Sequence, residues 1–160
     1  MNKAIFLDRD GVINIERGDY TWKLEDFKLT SGFVSFVREV QKRGYLIIVI
    51  SNQGGIGRFL FTHEDTMKCH EYVLAELKKE GLTLTDFYYC PHHPKYTRCL
   101  CRKPEPVMLE KAIARYDIEA SKSYFVGDTQ RDIDAGVLAG VNTIKVIAND
   151  DLCNYLWMIK

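Results

Sequence analysis

The sequence predicts an α/β chain built on a doubly wound, Rossmann-like parallel sheet, and three observations carry that expectation. Short uninterrupted apolar runs alternate with longer segments of helical periodicity, the pattern of strands covered on both faces by helices. Four of the five apolar runs end in acidic, hydroxyl or thiol residues, and ligands in such sheets bind beyond the carboxyl ends of the strands. At 160 residues, 46% apolar and 28% charged, the chain has the length and composition of one soluble domain, expected to span 1–160.

Taken in order, "AIFLD" (4–8) is the first strand, and the segment from Gly11 to Asp26 lacks periodicity and reads as a loop or flap. Phe33, Phe36, Val37 and Val40 recur at helical spacing, and Gly44 stops that helix. "YLIIVIS" (45–51) is the second strand and runs into the glycine turn of "SNQGGIG". Thr62 with Asp65 forms an N-cap and box for a helix carrying Met67, Tyr72, Val73 and Leu77, and Gly81 ends it. "DFYYC" (86–90) is the third strand, followed by an irregular excursion over 90–103. Met108, Leu109, Ala112 and Ile113 mark a third helix, with Pro104 placed to open it. "SYFVGD" (123–128) and "NTIKVI" (142–147) complete the strands. His63 and His70 are expected on a solvated helix face, and Cys69 and Cys153 as ordinary thiols.

Twenty-two basic residues balance 22 acidic ones, so the broad positive field of a nucleic-acid or anionic-membrane binder is missing. Neither partner is expected. Only four apolar residues separate Lys3 from Asp8, too few for a signal peptide, and no stretch approaches a membrane span. The expected location is therefore the cytoplasm, where structural disulfides are rare. That bears on "CPHHPKYTRCLCRKP" (90–104), which holds three of the five cysteines, two of the four histidines and three of the four prolines. Disulfides and a metal site are both readings of this segment, and the compartment favours metal or redox chemistry.

Four strand exits deliver reactive or phosphate-binding residue types to one sheet edge. On an extended chain Asp8 and Asp10 of "DRDG" share a face while Arg9 points away. Ser51 precedes a glycine turn whose backbone N–H groups suit an oxyanion. Lys103 of "CRKP" has the charge to neutralise a phosphate. Asp128 leaves the fourth strand, and Asp132 lies one helical turn on, either as a metal ligand or as the first-turn acid of a helix capped by Thr129. Asp8, Asp10 and Asp128 repel one another unless a cation lies among them, and magnesium suits oxygen ligands that it can bridge to phosphate. Phosphoryl transfer is the chemistry this set supports.

The order DxDG, S-N, K-P, GDxxxD resembles the haloacid dehalogenase (HAD) superfamily of phosphatases over nearly the whole chain. More narrowly, "FLDRDGVIN", "SNQGGIG" and "CPHHP…CLCRKP" are similar to its zinc-containing subgroup, which includes heptose-bisphosphate and histidinol-phosphate phosphatases. The resemblance implies a HAD-like fold without a large cap domain, and magnesium-dependent phosphomonoester hydrolysis through an aspartyl-phosphate. Asp8 would be the nucleophile, and Asp10 the acid for the leaving group and then the base for water. Magnesium would bind Asp8, the Asp10 carbonyl and Asp128, with Asp132 as a further candidate. Ser51 and Lys103 would hold the phosphate, and substrate contacts fall on Glu16, Arg17, Ser51, Asn52, Gln53, Gly54, Arg102, Lys103 and Thr129.

The excursion over 90–103 gains a reading from the same source. Cys90 and His92 alternate, as do Cys99 and Cys101, so two short extended stretches can each present a ligand pair. A Cys₃His set describes a closed tetrahedral zinc site, and the resemblance implies these four ligands. Such a zinc is structural, and it would fix Arg102 and Lys103, which follow directly.

Two positions depart from the subgroup: Phe59 stands where glycine is common, and Thr129 where a lysine or arginine is. They bear on substrate preference, not on the reaction. Arg17, Arg58, Lys95, Arg98 and Arg102 outnumber Glu16 and Asp19 near the expected mouth, favouring a bisphosphate over the cationic histidinol phosphate. The implied substrate is a heptose 1,7-bisphosphate, cleaved at C7. A catalytically inactive, zinc-stabilised binding module would have lost Asp8 or Asp10, and both are present. A monomer is expected.

Overall fold

A five-stranded, wholly parallel sheet runs in the order β3-β2-β1-β4-β5. Its strands are β1 (Lys3–Leu7), β2 (Tyr45–Asn52), β3 (Asp86–Cys90), β4 (Tyr124–Gly127) and β5 (Asn142–Lys145). This computed structural model describes residues 1–160. The fifth strand ends two residues earlier than its apolar run suggests, at Lys145.

The central strands β1, β2 and β4 are largely apolar because both faces are covered, and alternate residues divide between two cores. Ile5 and Leu7 of β1 with Ile47 and Val49 of β2 face one core. Ala4, Phe6, Ile48 and Ile50 face the other. Helices α1 (Phe33–Lys42) and α2 (His63–Lys79) fill the first with Phe36, Val37, Val40, Val73 and Leu77. Helices α3 (Val107–Arg115) and α4 (Gln130–Leu138) fill the second with Met108, Leu109, Ala112 and Ala135. Each fully buried Ile, Val or Phe contributes about 1.5–3 kcal/mol, so this two-sided burial dominates the stability. The Thr62–Asp65 capping box forms as the sequence indicates. No helix is long and apolar enough to cross a membrane.

The chain moves outward from β1 through β2 to β3, then returns to the other side of β1 for β4 and β5. The crevice between β1 and β4 is therefore the topological switch point, where doubly wound sheets bind ligands. Leu7 pairs with Val126, so Asp8 and Asp128 emerge side by side at that crevice.

Three further features differ from the sequence reading. The α3 helix opens at Val107 rather than at Pro104, because Lys103 and Pro104 form the centre of a turn closed by the Glu105 N–H on the Arg102 carbonyl. A 3₁₀ segment, Leu152–Met158, packs against α1, and the chain end is tied down by Arg43 donating to the Ile159 carbonyl at 2.7 Å. Its tight winding leaves no 3.6-residue pattern to read.

The third is His70, which is buried, not solvated, and stacks on Phe87 with centroids 4.0 Å apart. Neither ring nitrogen has a partner, and burial pulls its pKa down to about 3, with Arg9 adding to the effect. The folded pKa lies below the unfolded one, so this contribution is complete above about pH 6.5 and is lost as pH falls toward 3. At about 1.4 kcal/mol per unit, His70 should cost about 2 kcal/mol of stability between pH 7 and pH 5. Urea unfolding at both values checks this: His70→Phe should lose that much less than wild type, and equal losses would contradict it.

Candidate active site

Asp8 is the first residue beyond β1, and its N–H donates to the Val126 carbonyl at 3.0 Å. Arg9 turns to the opposite side, almost fully buried, with its guanidinium 5.5 Å from the Phe27 ring centre. From there its Nη2 donates to Asp10 Oδ1 at 2.9 Å and to the Thr21 carbonyl at 2.5 Å, linking the strand exit to the flap. Asp10 also accepts from Asn14 Nδ2 on Oδ1 and from Gln53 Nε2 on Oδ2, at 2.9 and 3.0 Å. Donors on three parts of the chain thus fix one carboxylate. Gly11 has φ +86°, and a Cβ there would lie 2.6 Å from Asp128 Oδ2. Only glycine lets the flap leave this close to Asp128.

Lys103 enters from the turn after the cysteine-rich loop and is almost fully buried. Its Nζ lies 2.7 Å from Asp8 Oδ1, 2.6 Å from Asp132 Oδ1 and 2.8 Å from the Ile50 carbonyl. Asn52 holds its backbone at both ends, accepting from Lys103 N at 3.0 Å and donating to its carbonyl at 3.2 Å. Burial pushes the Asp8 carboxyl up to about 7, with Lys103 pulling it down and Asp132 and Asp10 pushing it up. Burial also opposes the Lys103 charge, but Asp8 and Asp132 outweigh it and hold the ammonium above its ordinary value. Of the two roles the sequence left open, Asp132 takes that of first-turn acid: its Oδ2 accepts from the Thr129 N–H and hydroxyl in a capping box, while its Oδ1 faces Lys103.

Asp8, Asp128 and Asp132 each offer an oxygen, and these atoms lie within 4.8 Å of one another. Asp128 Oδ1 is buried without a hydrogen-bond partner, and burial followed by Asp132 raises its pKa. Clustered oxygen donors with an unpartnered lone pair fit a hard divalent cation such as magnesium.

In the loop after β3, Cys90, His92, Cys99 and Cys101 likewise converge within 4.8 Å. Cys90 Sγ lies 3.0 Å from Cys101 Sγ and 3.6 Å from Cys99 Sγ, and His92 Nδ1 is 3.3 Å from Cys101 Sγ. A disulfide needs about 2.05 Å, whereas sulfurs around a tetrahedral zinc are about 3.8 Å apart. All five cysteines are free, and the cluster fits zinc. The glycine turn after β2 closes on this loop: Gly57 N donates to the Pro91 carbonyl at 2.8 Å, and a Cβ on Gly57 would lie equally close to that oxygen.

A cavity of about 510 Å³ opens over the switch point, and Tyr20 is its one hydrophobic lining residue. Asp8, Asp10, Asp128 and Asp132 lie at it with Lys103, joined by Glu16, Asn52, Gly54, Arg102 and Thr129. Three expected contacts are elsewhere. Arg17 pairs with Asp26 at 2.8 Å and does not line the cavity. Ser51 and Gln53 are buried beneath it, Gln53 Nε2 donating to Ser51 Oγ at 2.8 Å. Of the cationic mouth, Arg58 and Arg102 reach the cavity, and Lys95 and Arg98 do not. Phe59, at φ +59°, is 93% exposed and also outside it. Tyr20 and Arg131 line the cavity unforeseen, although Arg131 directly precedes Asp132 in the motif that located this helix.

Residues 100–149 match a family described as HAD-hydrolase-like. The chain is 38% identical over 149 residues to D-glycero-alpha-D-manno-heptose-1,7-bisphosphate 7-phosphatase of Campylobacter jejuni, covering 93% of this chain and 84% of that one. It is 40% identical to D-glycero-beta-D-manno-heptose-1,7-bisphosphate 7-phosphatase of Haemophilus influenzae, covering 88% and 79%. The crystal structure of D,D-heptose 1,7-bisphosphate phosphatase from B. bronchiseptica, complexed with magnesium and phosphate, superposes with a TM-score of 0.87 at 27% identity, covering 97% of this chain and 86% of that one. With these relatives spanning nearly its whole length and an acidic, lysine-bearing cavity at the switch point, the chain belongs to the heptose-1,7-bisphosphate phosphatase family of HAD-like hydrolases.

Proposed function

We propose that this protein hydrolyses the C7 phosphate of a D-glycero-D-manno-heptose 1,7-bisphosphate through a phosphoryl group carried on Asp8. The observation that carries the reading is how Asp8 is held. Its Oδ1 accepts from Lys103 Nζ and from the Arg9 N–H at 2.8 Å, while Oδ2 receives no hydrogen bond and is left to attack. In the first step that oxygen bonds to phosphorus, the bond from phosphorus to the sugar oxygen breaks, and Asp10 gives the leaving oxygen its proton. In the second, the Asp10 carboxylate takes a proton from water, which attacks the phosphoryl group and releases inorganic phosphate and free Asp8. Lys103 and Arg102 offset the charge of the transferring group. Asn52 and Gln53 act as positioning residues, Asn52 on the Lys103 backbone and Gln53 on Asp10.

Asp8, the Asp10 carbonyl and Asp128 would hold magnesium, which when bound supplies charge neutralisation for the phosphate and the carboxylates. Cys90, His92, Cys99 and Cys101 would hold a structural zinc. We place the protein in the cytoplasm as a single domain over 1–160.

The substrate reading rests on charge at the cavity: Arg58 and Arg102 line it besides Lys103, and both disfavour the amine and imidazole of histidinol phosphate. Specificity constants measured with magnesium on both substrates test this. The heptose bisphosphate should be preferred by at least about tenfold, the difference that one charge-assisted contact of about 1.5–3 kcal/mol makes. A preference for histidinol phosphate would overturn the substrate assignment.

A further inference from the structure

We propose that Arg131 is the specificity-determining residue that takes the second phosphate of the substrate, an inference that rests on the bisphosphate reading above. Arg131 is the second residue of α4 and lines the cavity beside Asp128, Thr129 and Asp132. No carboxylate lies within ion-pair distance of its guanidinium, and none of its N–H groups donates to the protein. The other cavity cations are engaged. Lys103 is taken up by Asp8, Asp132 and the Ile50 carbonyl. Arg102 Nη1 donates to the His92 carbonyl at 3.2 Å, and Arg58 leans over the Tyr20 ring at 5.8 Å. A free, solvent-facing guanidinium on an otherwise ordered site wall is what a ligand anion would complete.

Topology separates the two phosphates. Arg58 follows β2 and Lys103 follows β3, on one side of β1, whereas Arg131 follows β4 on the other, with Asp8 between them. A scissile phosphate at Asp8 therefore has Lys103 and Arg102 on one flank, and Arg131 is the cation on the opposite flank. Its neighbours cannot substitute for it: the Thr129 hydroxyl donates to Asp132, and the Gln130 amide is bonded to Asp134 and Lys145. The flap wall carries Glu16 and Asp19, which repel a second phosphate and suit sugar hydroxyls instead. A guanidinium presents paired donors that match phosphate oxygens, and the positive end of α4 adds to its field. The same charge repels an ammonium at that position, so Arg131 discriminates in both directions.

The test uses wild type, Arg131→Gln and Arg131→Lys with magnesium, assayed on the heptose 1,7-bisphosphate and on the same heptose carrying only the 7-phosphate. Wild type should prefer the bisphosphate. In Arg131→Gln the ratio of the two kcat/KM values should fall about 10–100-fold, mainly through KM for the bisphosphate, with Arg131→Lys in between. Because the side chain is exposed, unfolding midpoints should match wild type. If wild type prefers the bisphosphate and Arg131→Gln keeps the full preference, or if both substrates fall equally, the role of Arg131 is overturned alone. If wild type shows no preference, the bisphosphate reading and the role of Arg131 fall together.

Discussion

Asp8→Asn should lower kcat by about four orders of magnitude or more while leaving the fold intact. The amide cannot form the acyl-phosphate bond, and nothing nearby replaces it: Asp128 and Asp132 are committed to the acidic cluster and to Lys103. The fold should survive because Lys103 keeps Asp132 and the Ile50 carbonyl when Asp8 loses its charge. Burial already pushes the Asp8 carboxyl up to about 7, so a neutral side chain of the same shape relieves a desolvation cost. Asp10→Asn should lose less, about 10²–10⁴, because it removes proton transfer but leaves the nucleophile. Phosphate release and urea unfolding on the same samples check both variants, and near-normal turnover in Asp8→Asn would remove it from the nucleophile's role.

Loss of the zinc proposed for the cysteine-rich loop should have the second largest effect. Elemental analysis should find about one zinc per chain, since four soft ligands saturate a tetrahedral ion. The segment 91–106 has no helix or strand of its own, so the metal would supply what backbone ladders supply elsewhere, about 10 kcal/mol or more in structural sites. Cys101→Ser should loosen Arg102, the next residue, whose guanidinium is held by the His92 carbonyl within the same loop. Lys103 has further anchors in Asn52, Asp8 and Asp132, so activity should fall through substrate binding by about 10–100-fold rather than vanish. Protein prepared without zinc, or full activity after its removal, would contradict this role.

The central strands were legible because each is mostly an apolar run, and the two Thr-x-x-Asp boxes because capping is local chemistry. Asp8 and Asp10 share a face by alternation, a pattern that depends only on residues two apart, and the four zinc candidates came from the family resemblance, with which their pairing agrees. What stayed hidden depends on tertiary partners. Nothing around Arg17 indicates that Asp26 claims it, nor around Gln53 that its amide reaches Asp10. The burial of His70 follows from Phe87 and Tyr89 arriving on a distant strand. Ser51 lies within β2, near its end, and its side chain ends beneath the cavity rather than at its surface, with Gln53 as its partner.

Phosphorus NMR of the heptose 1,7-bisphosphate during turnover with magnesium tests the proposed activity most directly, because the two phosphates are distinct signals. The account predicts that the C7 signal is replaced by inorganic phosphate while the C1 signal persists. Loss of the C1 phosphate first, or an unchanged spectrum under conditions where histidinol phosphate is consumed, would contradict it.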